Sequence, residues 1–354
     1  MPPAPIVLGI ETSCDDTACA VLDGEARVLA SVVSSQLSAH RPYGGVVPEI
    51  ASRAHLENWP AVSAEALLRA GLDLSRIDAV AATRGPGLVG SLLVGLSLGK
   101  SLAFALDRPF FAVHHLEGHL YSPFLRADGA ADEVPDRFVG LVVSGGHSNL
   151  FSVTPNRTET LGEARDDAMG EVFDKVGKRL GLPYPQGPRV DELAEAGDAN
   201  AHRFAIPDCG GSLDVSFSGL KSQALGAIEK LERSLGPIDL EVPDRDGGSP
   251  PREILDLLAG FRAAAVGQVL DRVERLHQED PISLLAVSGG AAANRLLRRE
   301  LTVWAIERNV ALRLVPLVFS GDNAAMIAHA ALLRLRRGES DNPFTAEAES
   351  RIAM

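Results

Sequence analysis

The sequence predicts an α/β protein with two duplicated lobes, and three observations carry the prediction. Short apolar runs alternate with longer stretches of helical apolar spacing along the chain. A pattern of strand, small polar turn and strand occurs near the start and again in the second half. With 354 residues, the chain exceeds what one ordinary core accommodates, so two lobes are expected.

The elements follow in order. Residues 6–10 and 17–22 read as strands joined by the polar turn ETSCDD, and 27–35 as a third strand. Residues 48–70 have helical spacing, 79–83 form a buried strand, and GPGLVG at 85–90 opens a long helix to about residue 106. The apolar stretch 88–106 is interrupted by Gly90, Ser91, Gly95, Ser97, Gly99, Lys100 and Ser101. That composition predicts a buried small-residue helix rather than a membrane span. Residues 110–114 form a strand that feeds a helix at His115. The second half repeats the opening with strand 138–143, the turn SGGH and strand 149–153. Helices are expected at 166–180, 188–196, 219–235 and 252–278. The stretch 236–251, rich in Pro, Gly and Asp, is expected to be a mobile linker. Strand 284–288, a Gly-Gly turn, helix 294–308, strand 312–315 and helix 322–335 complete the chain. The expected lobes are 1–135, closed by the last helix at 322–340, and 136–321 with a helical insertion. Duplicated α/β lobes with hairpin turns aimed at one nucleotide cleft are the architecture of actin-like ATPases, Hsp70-like proteins and sugar kinases.

Composition narrows the setting. Hydrophobic residues at 45% and charged residues at 23% are the ordinary balance of a soluble globular protein. The opening MPPAPIVLGIETS lacks a basic region and a long apolar core, so no secretory signal is expected. Cys14, Cys19 and Cys209 form neither a CxxC pair nor an even disulfide set, which points to a reducing cytoplasm. The net charge of −13 argues against a non-specific nucleic-acid coat but leaves a nucleic-acid substrate open. Arg295, Arg298 and Arg299 form one basic patch and Arg334, Arg336 and Arg337 another. Helix ends and solvated faces are the ordinary explanation of both.

HHLEGH at 114–119 carries the most distinctive chemistry. His115 and His119 are four residues apart, so on a helix both imidazoles share one face and can reach one ion. Two unrelated histidines, one capping and one packed, fit the spacing equally. A zinc peptidase does not fit. HExxH places its Glu one residue after the first His, whereas Glu117 is two residues after His115 and about 200° round the helix. The reversed motif HxxEH fails because Gly118 occupies the place of its second His. Asp322 sits where the last helix is capped and could serve as N-cap or as third ligand. A two-His, one-carboxylate site with open positions suits iron(II), with zinc as the alternative.

Glycine turns supply the second chemistry. Ser144-Gly145-Gly146-His147 and Ser288-Gly289-Gly290 each follow an apolar strand, where backbone N–H groups can meet a phosphate or an adenine edge. YPQGP at 184–188 is a rigid loop suited to the border of a ribose. Asp174 and Asp191 are expected opposite the Ser144 turn, where ribose hydroxyls pair with carboxylates. Solvated helix carboxylates are the alternative. Glu11, Asp15 and Asp16 lie at the first turn.

GIETSCDDTACAV, YGGVVPEIASRAH, GPGLVGSLLVG, HHLEGH, LVVSGGHSNL, DDAMGEVFDKVGKRLGL, YPQGP, SFSGLK, SGGAAANR and GDNAAMIA together resemble the bacterial tRNA adenosine threonylcarbamoyltransferases, from about residue 5 to 340. O-sialoglycoprotein endopeptidase is an older name for that family. The resemblance implies the two-lobed actin-like fold. It also implies transfer of a threonylcarbamoyl group from threonylcarbamoyl-AMP to the exocyclic amine of the adenosine beside the anticodon, in tRNAs reading ANN codons. It makes His115, His119 and Asp322 metal ligands, and Val142, Val143, Ser144, Gly145, Gly146, Asp174, Gly187, Asp191 and Asn294 substrate-binding positions. Asp15 and Asp16 match positions the family needs for activity. The family usually has Asp-Glu where this chain has Asp15-Asp16, and Cys-Thr-Asp-Asn where it has Ser320-Gly321-Asp322-Asn323. The implied partners are tRNA, a paralogous actin-like subunit and a small P-loop ATPase, with no membrane. A kinase, a metallopeptidase and an Hsp70-like binding module are the rival classes.

Overall fold

A computed structural model describes residues 4–155, 157–207, 209–240 and 250–354. The chain divides into two compact units. Unit 1 comprises residues up to 135 together with 315–354, and unit 2 comprises 136–314.

Unit 1 opens with strands β1 (Val7–Glu11), β2 (Asp16–Leu22) and β3 (Val28–Ser35), followed by the short helix α1 (Leu37–His40) and the long helix α2 (Pro48–Ala70). Then come β4 (Ala79–Gly85), α3 (Val89–Leu106), β5 (Phe110–His114) and α4 (His115–Tyr121). The sheet runs β3-β2-β1-β4-β5, antiparallel on the β3-β2-β1 side and parallel across β1-β4-β5. β1 is buried along its whole length, as expected of a strand covered on both faces. Alternation sorts its side chains. Leu8 and Ile10 join Trp59, Val62 and Ala66 of α2 and Leu96 and Ala103 of α3 in one apolar core. Gly9 faces the other way, against α10 (Ala324–Arg336), where a Cβ would collide with the Ala324 carbonyl.

Unit 2 contains β6 (Phe138–Val143), β7 (Ser148–Thr154), β8 (Arg157–Gly162), α5 (Met169–Arg179), α6 (Gly187–Ala194), α7 (Ser218–Leu235), α8 (Arg252–Glu279), β9 (Leu284–Ser288), α9 (Arg295–Arg308) and β10 (Ala311–Leu314). Its sheet order, β8-β7-β6-β9-β10, repeats the order and the strand directions of unit 1. The duplication expected from the sequence is therefore a duplication of topology.

Three local expectations need correction. β8 is unforeseen because its sequence, RTETLG, is largely exposed and has no apolar run. α3 is buried on one face only: Ser91, Gly95 and Gly99 press on the sheet while Val89, Leu93 and Phe104 are exposed. The cap of α10 is Asn323, whose side chain accepts the Met326 N–H at 3.0 Å, so Asp322 is released from capping. Of the expected linker at 236–251, Leu240 donates its N–H to the Leu180 carbonyl at 2.8 Å. Residues 241–249 lie outside the described residues.

Candidate metal centre

Three segments of unit 1 converge on one point. α4 begins directly after β5, with His114 as its cap: Nδ1 accepts the Leu116 N–H at 3.1 Å, and Nε2 lies 3.2 Å from the Ile352 carbonyl. That fixes the helix start, so His115 and His119 project one turn apart on one face. Their Nε2 atoms lie 3.5 and 3.3 Å from Asp322 Oδ1. Ligand atoms of the three residues all lie within 4.8 Å of one another, close enough for a single ion.

Behind this group stands Glu11, fully buried at the end of β1. Its Oε2 lies 3.1 Å from His115 Nδ1 and accepts the Thr83 hydroxyl at 2.6 Å, while Oε1 accepts the Ser13 N–H. Ser13 Oγ is also 3.2 Å from His115 Nδ1. A carboxylate on the far nitrogen of a ligating imidazole sets its tautomer and raises its basicity. His119 has no such support, since its Nδ1 is buried without a hydrogen-bond partner. Burial would lower the His115 pKa, but Asp322 and Glu11 outweigh it and push it up to about 9. His119 lacks that excess of negative charge, and burial holds it below the ordinary histidine range. The two carboxylates thus create a field that favours positive charge between the imidazoles. The donor set of two imidazoles and one carboxylate accommodates a divalent transition metal.

Glu117 takes no part. Burial raises its pKa, and the charges that oppose this are Arg334 and Arg337 rather than the ligand group. The turn before β2 carries the other acids. Burial first, then the charges of Asp322 and Asp15, push Asp16 up to about 7, and its Oδ1 is buried without a partner. Burial also raises the thiols of Cys14 and Cys19, the latter to about 12, which keeps both protonated and unreactive.

The remaining sequence candidates lie in unit 2. Val142 and Val143 end β6 with fully buried side chains, so only their backbone can meet a ligand. Ser144 Oγ accepts N–H groups from Gly146 at 3.4 Å and His147 at 3.1 Å, which tightens the turn, and Cβ positions at Gly145 and Gly146 would meet open space. Gly170 donates to the Ser144 carbonyl at 3.1 Å and so seats the start of α5 on this turn. One turn further on, Asp174 Oδ1 accepts the Gly187 N–H at 2.7 Å. Asp191 is no solvated helix carboxylate: it is buried, 3.1 Å from Arg262, and accepts the Arg295 N–H at 3.1 Å. Asn294 caps α9 by accepting the Leu297 N–H at 3.0 Å. Gly289 must be glycine, with φ +94° and a Cβ position that collides with the Val143 carbonyl. Of the two basic patches, the Arg334–Arg337 group is spent locally. Arg334 and Arg337 pair with Glu339, Arg334 also pairs with Asp341, and Arg336 donates to the Gly24 carbonyl.

Sequence reasoning left Glu11, Ser13 and Thr83 without a role. The signal for Glu11 was present, namely a charged residue closing an otherwise apolar, doubly covered strand.

Residues 27–329 match the model of a family described as tRNA N6-adenosine threonylcarbamoyltransferase. A protein of that name from Nostoc sp. is 44% identical over 357 residues, covering 98% of this chain and 97% of the relative. One from Geobacter sulfurreducens is 46% identical over 336 residues, covering 94% and 93%. Among solved structures, component A of (R)-2-hydroxyglutaryl-CoA dehydratase from Acidaminococcus fermentans matches with a TM-score of 0.51 at 15% identity. The match covers 92% of this chain and 99% of that one. HypF from T. kodakarensis matches with a TM-score of 0.61 at 16% identity, over 95% of this chain and 48% of HypF. These structural likenesses show the fold alone.

Proposed function

This chain belongs to the tRNA N6-adenosine threonylcarbamoyltransferase family, and from that premise we propose how its residues carry out the transfer. The enzyme moves the threonylcarbamoyl group of threonylcarbamoyl-AMP to the exocyclic amine of the adenosine adjacent to the anticodon, in tRNAs reading ANN codons, and releases AMP. The arrangement that carries the mechanistic reading is His115, His119 and Asp322 around one point, with Glu11 behind His115.

His115 and His119 would hold a metal ion through Nε2 and Asp322 through its carboxylate, with iron(II) preferred and zinc as the alternative. Bound there, the ion supplies Lewis acidity and a template for substrate oxygens. Glu11 keeps the His115 proton on Nδ1 and leaves Nε2 to ligate. The unit 2 residues Val142 to Gly146, Asp174, Gly187, Asp191 and Asn294 bind the adenylate. Backbone groups of the Ser144 turn serve its phosphate, while Asp191 and Asn294 hold the wall of the site in place. In the transfer, the adenine amine attacks the carbamoyl carbon. The new C–N bond forms as the bond to the AMP oxygen breaks, and the amine loses one proton. Asp16 is suited to receive that proton, because burial, the largest influence on it, raises its pKa above the ordinary carboxylate range. Asp15 adds negative charge beside it. An aromatic amine is a weak nucleophile, so positioning contributes much of the rate.

A metallopeptidase is disfavoured, because Glu117 faces arginines instead of the ligand group. The reaction takes place in the cytoplasm, and a paralogous actin-like subunit and a small P-loop ATPase are the protein partners to seek. The test combines metal analysis of the pure protein with mass spectrometry of tRNA nucleosides after depletion. One iron or zinc per chain is expected, together with loss of threonylcarbamoyladenosine that wild-type protein restores and His115→Ala does not. Full transfer by His115→Ala at saturating adenylate would show the ligand assignment to be wrong.

A further inference from the structure

The motif YGGVVPEIASRAH at 43–55 takes no part in either group of residues above. Its last residue, His55 on α2, is fully buried, as is His40, and Gln36 is nearly so. The three form one continuous polar chain. His40 Nδ1 accepts the Val47 N–H at 3.3 Å, and His40 Nε2 lies 3.2 Å from Gln36 Oε1. Gln36 Nε2 lies 3.2 Å from His55 Nδ1, 3.3 Å from the Ala51 carbonyl and 3.4 Å from Thr17 Oγ1. Thr17 Oγ1 is 2.8 Å from His55 Nδ1, and His55 Nε2 is 3.0 Å from the Cys14 carbonyl.

Donor counting leaves one solution. The Val47 amide can only donate, so His40 Nδ1 is an acceptor and the His40 proton sits on Nε2. That proton needs an acceptor, which identifies Oε1 on the near side of Gln36 and puts its NH₂ on the far side. The NH₂ only donates, so His55 Nδ1 accepts and Nε2–H is directed at the Cys14 carbonyl. Both imidazoles are neutral with the proton on Nε2, and burial, the largest influence on His55, agrees by lowering its pKa. The His40 Nε2–H, one Gln36 N–H and the His55 Nε2–H run in relay from the 40s segment toward the turn between β1 and β2. The other Gln36 N–H meets the Ala51 carbonyl, and the Thr17 hydroxyl donates to His55 Nδ1.

That turn carries Asp15 and leads into Asp16, the first residue of β2. On its metal side, Ser13 donates its N–H to Glu11, and the Ser13 carbonyl accepts the Leu88 N–H at 2.8 Å. On its other side, the Cys14 carbonyl accepts from His55, and the Asp15 carbonyl accepts the Gln36 N–H at 3.1 Å. A hairpin tip is ordinarily the loosest part of a sheet; here consecutive peptides are fastened from both sides. We propose that His55, with Gln36 and His40 behind it, is a positioning residue that holds the Cys14–Asp16 backbone so that the two carboxylates meet the reacting amine. This role rests on the assignment of Asp15 and Asp16 to the transfer step.

The test compares His55→Leu, which keeps apolar volume but removes the donor, with His55→Gln, whose amide can again donate to Cys14. Steady-state transfer is measured on metal-replete protein, with Gln36→Leu as a second route to the same break. His55→Leu lowers kcat between about tenfold and a hundredfold, with both KM values within about twofold, unchanged metal content, and most of kcat returned in His55→Gln. ¹⁵N spectra of the wild-type imidazoles show Nε2–H tautomers for His40 and His55. An unchanged kcat in folded His55→Leu or Gln36→Leu overturns the proposal, as does an Nδ1–H tautomer at either histidine. If His55→Leu fails to fold, the Gln36→Leu rates and the wild-type spectra still decide. Full activity of Asp15→Asn and Asp16→Asn alongside Nε2–H tautomers would sink the assignment of the acids while leaving the hydrogen-bonded tie intact.

Discussion

At the scale of single residues, Glu11 shows how much a ligand set owes to the group behind it. His115 meets a carboxylate through its far nitrogen and His119 meets nothing there, so the two imidazoles are not equivalent. Glu11→Gln keeps the shape and most hydrogen bonds but removes the charge that makes His115 a strong donor. Metal affinity is expected to fall between about tenfold and a hundredfold, read by competition with a chromogenic chelator. An affinity equal to wild type would mean that Glu11 serves only to hold Ser13 and Thr83. Capping follows the same economy of roles. Asn323 closes the first turn of α10 and His114 that of α4, which leaves Asp322, His115 and His119 to face one another.

At the scale of elements, the ligands depend on how closely helices approach strands. α10 lies on β1 at Gly9, α3 on the Thr12 side chain at Gly95, and each approach excludes a Cβ. Gly9→Ala has to push α10 away from β1, carrying Asp322 with it. A loss of about 1–3 kcal/mol in stability is expected from such overpacking, together with weaker metal binding, measured by urea unfolding and chelator competition. Unchanged stability would mean that α10 shifts without cost. Much at this scale was legible in the sequence. The i,i+4 histidines on α4, the misplaced Glu117 and the paired glycine turns follow from period and sterics. β8 was not legible, because an exposed strand carries no apolar signature. The capping role of Asn323 over Asp322 was hidden too, since both residue types cap well and only the backbone chooses. The burial of Asp191 was not legible, because the sequence cannot show that Arg262, 71 residues away, would pack against it.

For the whole molecule, the two five-stranded sheets share one topology, yet only unit 1 carries the ligand group. The fold is the actin-like, Hsp70-like and sugar-kinase one. An ion bound at that group would therefore stabilise one unit selectively, by an amount set by its affinity and the free metal concentration. Removing the metal with a chelator is expected to raise amide exchange in β1, β5, α4 and α10 while that of β6, β9 and α8 stays unchanged. Equal changes in both units would contradict a metal centre confined to unit 1. The net charge of −13 leaves tRNA binding to local patches, and members of both arginine groups also serve the fold: Arg334 and Arg337 pair with Glu339, Arg298 donates to the Ala292 carbonyl, and Arg299 pairs with Glu195 and Glu300.

Asp322 enters unit 1 only after the chain has left it and built unit 2. During synthesis, His115 and His119 emerge from the ribosome some two hundred residues before their third ligand, and Gly9 before the helix that covers it. A message cut short anywhere in unit 2 would leave all five strands of the first sheet made, but β1 without α10 against Gly9 and the ligand group without its carboxylate. On the proposed ligand set, firm ion binding would require a chain translated through residue 322 with α10 laid back on its first strand.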